Sequence, residues 1–435
     1  MSKLIAACKG ICVRVRHEGF LATAIWGLQK LKGHFEVRNL RLGKTAAPAS
    51  GERVVYQQVP YETLRSFQNL ERYVPPVVRR NAPYRVAWFI PPPGPSGGGH
   101  QNIFRFVSAL QAAGYHNSIV MVTPHEGTIP ARDAATGVQQ ARRNVAQYAP
   151  VDDITFCWHE TGMAVAADIV IATSWDTAYP VATLPTDALK YYFVQDFEPY
   201  FFPVGTDFVL AENTYRVGLH GITAGRWLAN KLFTEYAMPC TAYDFGADKE
   251  LYHVSNTETR NAVLFYARPA TERRGFPIGI LALDLLHQAY PDVTIHLVGA
   301  DVSAYAIPFP YVHHGDLPLT ELNALYNCCA AALVASFTNM SLMPLELLAA
   351  GVIPVVTDGD NNTQVSNNAH IRYCARTPRA LADGVIAAVA ANRSSELALT
   401  ISQSISATGW GTACQVMLDL LAEDLRRYTP DESTK

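Results

Sequence analysis

An α/β protein of two parallel-sheet domains facing each other across a central cleft, with a helical N-terminal extension, is the fold class this sequence predicts. Three observations carry it. Apolar strand-like segments alternate with amphipathic helical segments from residue 84 to residue 194. The same alternation restarts at residue 263 with a new strand, an Arg-rich loop and a new helix. The chain has 435 residues, 49% of them apolar and 17% charged, which is the size of two or three domains with ordinary globular composition. Alternation of this kind means parallel strands wound with helices.

In chain order, residues 1–82 are expected to be a basic helical extension and connector, 83–248 a first Rossmann-like domain, and 249–435 a second with terminal helices. The net charge of −3 argues against a dedicated nucleic-acid binder, yet residues 1–45 carry nine Lys/Arg against Glu18 and Glu36, so a +7 arm precedes a −10 body. The apolar stretches of that arm are broken too soon for a bilayer crossing, which needs ~20 apolar residues, and no signal peptide is expected. Two readings of the arm stand. It is a basic amphipathic helix lying on an anionic membrane face, or helices packed on the body with Lys and Arg in water. Eight cysteines without a CxxC pair read as reduced, mostly buried thiols of a cytoplasmic protein.

The first core strand is YRVAWFI, residues 84–90. It runs into PPPGPSGGGHQ, a glycine-rich loop opening a helix whose apolar positions Ile103, Phe106, Val107 and Leu110 recur at helical spacing. Strands at 118–122, 168–172 and 191–194 and a helical stretch over 131–149 follow. In the second half, strand AVLFYA leads through RPATERRG into helix GFPIGILALDLLHQAY. Then come strands VTIHLVG and YVHHGD, helix LTELNALYNC and strand AALVAS.

The most informative stretch is SFTNMSLMPLELLAAGVIPVV, residues 336–356. Pro344 can open a helix, Leu345, Leu347, Leu348 and Ala349 pack it, Gly351 ends it, and residues 352–356 form a buried strand. Glu346 is the anomaly, a carboxylate in the first turn of an otherwise apolar helix. Ligands of open α/β sheets bind beyond the C-terminal ends of the strands, so the cleft between the domains is the expected site.

These residues carry a resemblance. YARPATERRGF, LVG ending at Gly299, HHGDL and the 336–356 stretch, together with GGGHQNIFRF, KYYFVQDFEPYFFPVG, LAENTYR and YDFGADKELYH, resemble retaining GT-B glycosyltransferases of the glycogen-synthase-like superfamily, and more narrowly WsaF-type rhamnosyltransferases of bacterial surface-glycan assembly. The match covers roughly residues 84–410. It implies an acceptor-side first domain, a second domain binding a nucleotide sugar, and transfer of a sugar, L-rhamnose above all, from a dTDP donor to a lipid-linked polysaccharide with retention. Neither a metal nor a resident cofactor is expected. The expected place is cytoplasmic, with peripheral contact on the inner face of the plasma membrane through residues 1–45.

Residue by residue, Arg268 matches the family arginine that neutralises the donor diphosphate. Arg273 and Arg274 compete for the place of its lysine, and Arg274, just before Gly275, aligns better. Planar guanidinium forks suit that task. Glu346 matches the glutamate that holds the ribose hydroxyls, whereas Asn339 stands where many relatives carry a second glutamate. An amide supplies hydrogen bonds without charge. The backbone amides of Met340, Ser341 and Leu342 are expected donors to sugar or phosphate. Gly97, Gly98 and Gly99 leave room for a diphosphate or acceptor, without the spacing of a dinucleotide fingerprint. His100 reads equally as sugar contact or packing residue. Asp196, at the end of strand KYYFV, is a candidate for orienting acceptor or sugar hydroxyls, followed by Gln195, Glu198, Thr173 and Ser174, with an Asx-type turn as the bland account.

Asp358 and Asp360 form a DGD that invites a metal reading, but DGDNN is turn chemistry after a buried strand and is taken as a loop. No nicotinamide fingerprint and no GxSxG elbow occurs. The rival is a catalytically inactive GT-B-like protein that binds glycan or scaffolds an assembly. The presence of Arg268 and Glu346 weighs against it.

Overall fold

The computed structural model describes residues 71–430 apart from 95–96, 123–133, 161, 257 and 341. The basic arm of residues 1–45, with its membrane reading, and Ser341 lie outside the described residues.

The first domain is a seven-stranded, all-parallel sheet in the order β3-β2-β1-β4-β5-β6-β7. Its strands are β1 (Arg85–Ile90), β2 (His116–Met121), β3 (Thr155–Trp158), β4 (Ile169–Ala172), β5 (Leu189–Val194), β6 (His220–Ala224) and β7 (Cys240–Tyr243). The helices are α1 (Gly98–Ala112), α2 (Ala134–Val145), α3 (Trp175–Thr183), α4 (Thr206–Asn213) and α5 (Arg226–Tyr236). The near-continuous apolar runs of β4 and β5, buried at every position, are what a sheet covered on both faces requires.

The second domain is a six-stranded parallel sheet, β10-β9-β8-β11-β12-β13, made of β8 (Ala262–Ala267), β9 (Thr294–Gly299), β10 (Val312–His313), β11 (Cys329–Val334), β12 (Ile353–Thr357) and β13 (Arg372–Cys374). It carries α6 (Phe276–Ala289), α7 (Leu319–Cys328), α8 (Met343–Ala349), α9 (Asp360–Thr363), α10 (Pro378–Ala391) and α11 (Ser395–Gln403). Gly279 of α6 sits against Phe265 so closely that an added Cβ would meet the ring at 2.2 Å, which seats the helix on β8.

The last helix, α12 (Trp410–Arg427), returns to the first domain. Tyr191 of β5 donates its hydroxyl to Asp424 at 2.8 Å, and Arg105 of α1 stacks 4.6 Å over Trp410. The connector is strapped to the same place, with the Val78 amide and the Arg80 guanidinium both on the Tyr428 carbonyl. Residues 410–430 therefore pack with the first domain although they follow the second in sequence.

Helix α8 shows how locally the sequence specifies its end. The Val352 amide donates to the Leu347 carbonyl at 2.8 Å and the Gly351 amide to that of Leu348 at 2.9 Å, with Gly351 at φ +76°. This is a Schellman cap, and its left-handed residue is the glycine expected there. β12 follows immediately, so Glu346 is fixed by a short helix clamped at its C-terminus.

Candidate functional site

The C-terminal ends of β4 and β5 from one sheet and of β8 and β11 from the other converge on a cavity of about 440 Å³. Gly98, Gly99, Thr173, Ser174, Gln195, Asp196, Glu198 and Phe201 line it from the first domain. From the second come Tyr266, Arg268, Arg273, Arg274, Asn339, Met340, Leu342 and Glu346, with Tyr252, Phe265, Leu322 and Tyr326 supplying apolar surface.

Three guanidinium groups face this space without a carboxylate. Among the described residues none of Arg268, Arg273 and Arg274 has an ion-pair partner. Arg268 donates to the Tyr266 hydroxyl at 2.6 Å and lies over its ring. Arg273 stacks 3.8 Å over Phe201 of the opposite domain, and its Nε is buried without a partner. Arg274 donates to the Ser336 hydroxyl at 2.8 Å. Burial lowers the pKa of Arg273 and Arg274, with Asp196 opposing the shift. Gathering unpaired, partly desolvated cations costs free energy that a bound anion returns.

Glu346 is the complementary group. Its carboxylate has no hydrogen-bond or ion-pair partner among the described residues, and burial raises its pKa to about 7, with the Arg105 charge opposing. Tyr252 and Tyr326 of the apolar lining sit within its field. An unpartnered acceptor beside tyrosine and phenylalanine faces has what a ribose and its base need: two hydroxyls to accept from and a flat apolar wall.

Gly98 and Gly99 open α1 toward the cavity. A Cβ on Gly98 would meet nothing within 4 Å, and one on Gly99 only the Gln195 Nε2 at 3.6 Å. Neither has a positive φ. The protein itself thus gives no steric reason for these glycines, and their use is to leave space for something in the cavity.

Asn339 and Asp196, which both line the cavity, are engaged with each other and with both domains. Asn339, 1% exposed, donates from Nδ2 to the carbonyls of Gln195 at 3.0 Å and Ala224 at 2.9 Å, and its Oδ1 accepts from the Met340 amide at 3.1 Å. The Asp196 Oδ1 accepts from the amides of Phe197 and Asn339, both at 2.8 Å, and its Oδ2 from the Thr338 hydroxyl at 2.8 Å. Desolvation raises the Asp196 pKa, with Arg274 the main opposing charge. Together they form a clasp between the domains, and both act on the cavity by positioning its walls. A glutamate at 339 has no N–H to offer two carbonyls, which is the physical reason an amide stands there.

The other expected groups find partners within the protein. The Met340 amide is engaged by Asn339 Oδ1 and the Asn361 carbonyl, so only its side chain faces the cavity; Leu342 lines it just before α8. His100 bonds the Pro91 carbonyl at 3.0 Å. Glu198, its pKa pushed up to about 8 by burial, accepts from the Trp175 amide at 2.7 Å and the Tyr192 hydroxyl at 2.9 Å. The Thr173 hydroxyl is on the Phe89 carbonyl, and that of Ser174 on Asp176. Asp358 caps the Gly359 amide, while Asn362 bonds the carbonyls of Ser336 and Thr357, so the DGDNN loop stitches β12 to the 336–339 turn.

Comparison with known proteins agrees with this geometry. Residues 261–386 match the model of the WsaF C-terminal domain. The sucrose-phosphate synthase of Thermosynechococcus elongatus superposes with a TM-score of 0.60 at 14% identity, covering 79% of this chain and 100% of that one. Anabaena HepE, solved in complex with UDP and glucose, gives a TM-score of 0.60 at 13% identity over 78% and 100%. The chain has the GT-B fold, and its residues 261–386 are related to the WsaF C-terminal domain. It is also 33% identical over 289 residues to the O-antigen biosynthesis protein RfbC of Myxococcus xanthus, a match covering 64% of this chain and 22% of that protein, so it spans about a fifth of that relative's length.

Sequence reading missed Tyr266, Phe201 and Arg105, and the bonding of Gln195. Tyr266 and Phe201, which hold Arg268 and Arg273 by their rings, have a faint signal in being aromatics adjacent to motif residues. Gln195 was a strand-end candidate, but that its amide joins Gly99 to Asn102 has no signal, because these partners are 96 and 93 residues away. Nor could the sequence show that Arg105, stacked on a tryptophan 305 positions later, supplies the charge that faces Glu346.

Proposed function

We propose that this chain is a glycosyltransferase that moves L-rhamnose from dTDP-L-rhamnose to a growing cell-surface polysaccharide, with retention of configuration and without a metal ion. The observation that carries the reading is the pairing, in one interdomain cavity, of three unpaired guanidinium groups with one unpaired carboxylate against an aromatic wall. The first suits a diphosphate, the second a nucleoside. The HepE complex with UDP and glucose, on the same fold, and the O-antigen role of the RfbC relative support the substrate class. The rhamnose and thymidine assignments rest on the WsaF relationship.

In this reading Arg268, Arg273 and Arg274 hold the diphosphate and stabilise the charge that grows on it as the anomeric bond breaks. Glu346 accepts from the ribose hydroxyls. Gly98 and Gly99 bring backbone close to the sugar. The acceptor hydroxyl attacks the anomeric carbon on the face the diphosphate leaves, and its proton passes to the departing phosphate oxygen, so no protein nucleophile enters. The Asp196 and Asn339 clasp holds the two walls at the spacing this requires. An inactive scaffold has no use for unpaired, partly desolvated arginines, which cost stability unless an anion answers them.

Calorimetric titration with dTDP, UDP, GDP and ADP, with and without EDTA, tests the reading. Binding of dTDP that survives EDTA and weakens in Arg268→Ala is expected. Binding by none of the four, or unchanged binding in the variant, would overturn it, and binding abolished by EDTA would overturn metal independence.

A further inference from the structure

A second interdomain cavity, of about 500 Å³, shares the 3-10 turn Glu198–Phe201 with the first as part of its wall. Successive residues of that turn serve the two spaces: Phe201 lines the arginine cavity and Tyr200 the second. Helix α5 forms one wall with Trp227, Asn230 and Thr234, and the second domain forms the other with Phe337, Asp360 and Gln364.

Its chemistry is the inverse of the first cavity's. The cations present are already committed: Lys231 is paired with Glu235 at 2.7 Å, and Arg376 donates to the Asp358 carbonyl at 2.6 Å and to Asn361 at 2.9 Å. The lining side chains left without a hydrogen-bond partner among the described residues are neutral amides and hydroxyls, Asn230, Thr234 and Gln364, together with the Trp227 indole N–H and the Asp360 carboxylate. The four charged groups of the lining, Lys231, Glu235, Arg376 and Asp360, sum to zero, so this cavity gathers no excess positive charge for a phosphate. Mixed donors and acceptors around exposed aromatic faces, with Tyr200 45% exposed, match the alternating hydroxyls and C–H faces of an uncharged sugar.

We infer that this cavity is a subsite for a neutral glycan, taken up between the domains beside the transfer site. Because Tyr200 and Phe201 are adjacent, a sugar stacked on the first lies one residue from the ring that supports Arg273. Assigning the bound glycan to the acceptor side rests on the transferase reading; sugar binding here does not.

The test is ligand-observed NMR with the full chain and neutral probes, namely the tetrasaccharides of L-rhamnose, D-glucose, D-mannose and D-galactose, recorded with dTDP or UDP present at saturation. At least one tetrasaccharide should bind with nucleotide present, and binding should fall at least tenfold in Trp227→Ala. Since Trp227 also packs on the first-domain core, the Asn230→Leu/Gln364→Leu double variant, at two positions outside the core, serves as the second probe. It should lose sugar binding while keeping the melting temperature and nucleotide affinity of the wild type. Absence of binding by all four sugars, or binding unchanged in the double variant, overturns the subsite. Failure to bind nucleotide with sugar binding intact would sink the transferase reading and leave the subsite standing.

Discussion

Replacing Asn339 with aspartate keeps its shape and removes both N–H donors of the interdomain clasp. The carbonyls of Gln195 and Ala224, now 3.0 and 2.9 Å from Nδ2, would face a carboxylate oxygen in a site that is 1% exposed at this residue. A buried acceptor left unsatisfied costs ~1–3 kcal/mol, so the two together cost ~2–6 kcal/mol, and the new charge beside Asp196 adds to that. Urea unfolding at pH 8 should therefore show a midpoint well below that of the wild type, and dTDP affinity should fall because both cavity walls hang on this contact. At pH 5 the introduced carboxyl, once protonated, regains one O–H donor, so the gap should narrow. A variant within ~0.5 kcal/mol of wild type, the usual range of surface substitutions, or a gap that ignores pH, would refute the clasp.

Other outcomes follow from the same cavity. Arg268→Ala should weaken nucleoside diphosphate binding by ~10–100-fold, the value of one charged hydrogen bond, with little change in melting temperature, since its polar partner is a single tyrosine hydroxyl. Because burial raises the Glu346 pKa to about 7, dTDP affinity should fall as pH drops from 8 to 6, and Glu346→Gln should flatten that slope. The stability sign is opposite: between the ordinary carboxylate pKa and about 7 the folded chain keeps a proton the unfolded chain loses, so Glu346 erodes stability as pH rises. Glu346→Gln should accordingly unfold at higher urea than wild type at pH 8. Gly98→Leu, where a Cβ meets nothing, should fold normally and lose at least tenfold in nucleotide or donor affinity by occupying the cavity.

What was legible in the sequence was local. The glycine that ends α8, the carboxylate three residues into that helix and the arginines after β8 are each specified by neighbours in the chain, and the structure puts them where the pattern does. Strands β3, β6, β7 and β13 escaped the reading, β3 and β7 being four-residue edge strands, β13 a three-residue edge strand, and β6 being HGITA, with a glycine inside it. Register slipped too: β11 runs over Cys329–Val334, ahead of the expected strand, and β10 shrinks to Val312–His313. Asp196 is legible as a polar residue at a strand end, and Asn339 as an amide where many relatives carry a glutamate. Their bonds span 115 to 144 positions, and only the assembled sheets reveal that they hold each other. The terminal helix is the same lesson at larger scale, since nothing within residues 410–427 says that Tyr191 is the partner of Asp424.

The most direct test of the central claim is a crystal structure of the full chain with dTDP bound. The account predicts phosphate oxygens within hydrogen-bonding distance of Arg268 and Arg274, both ribose-face contacts made to Glu346, and the base against Tyr252 or Tyr326. A nucleotide seated elsewhere, or one whose diphosphate leaves all three arginines untouched, would contradict it.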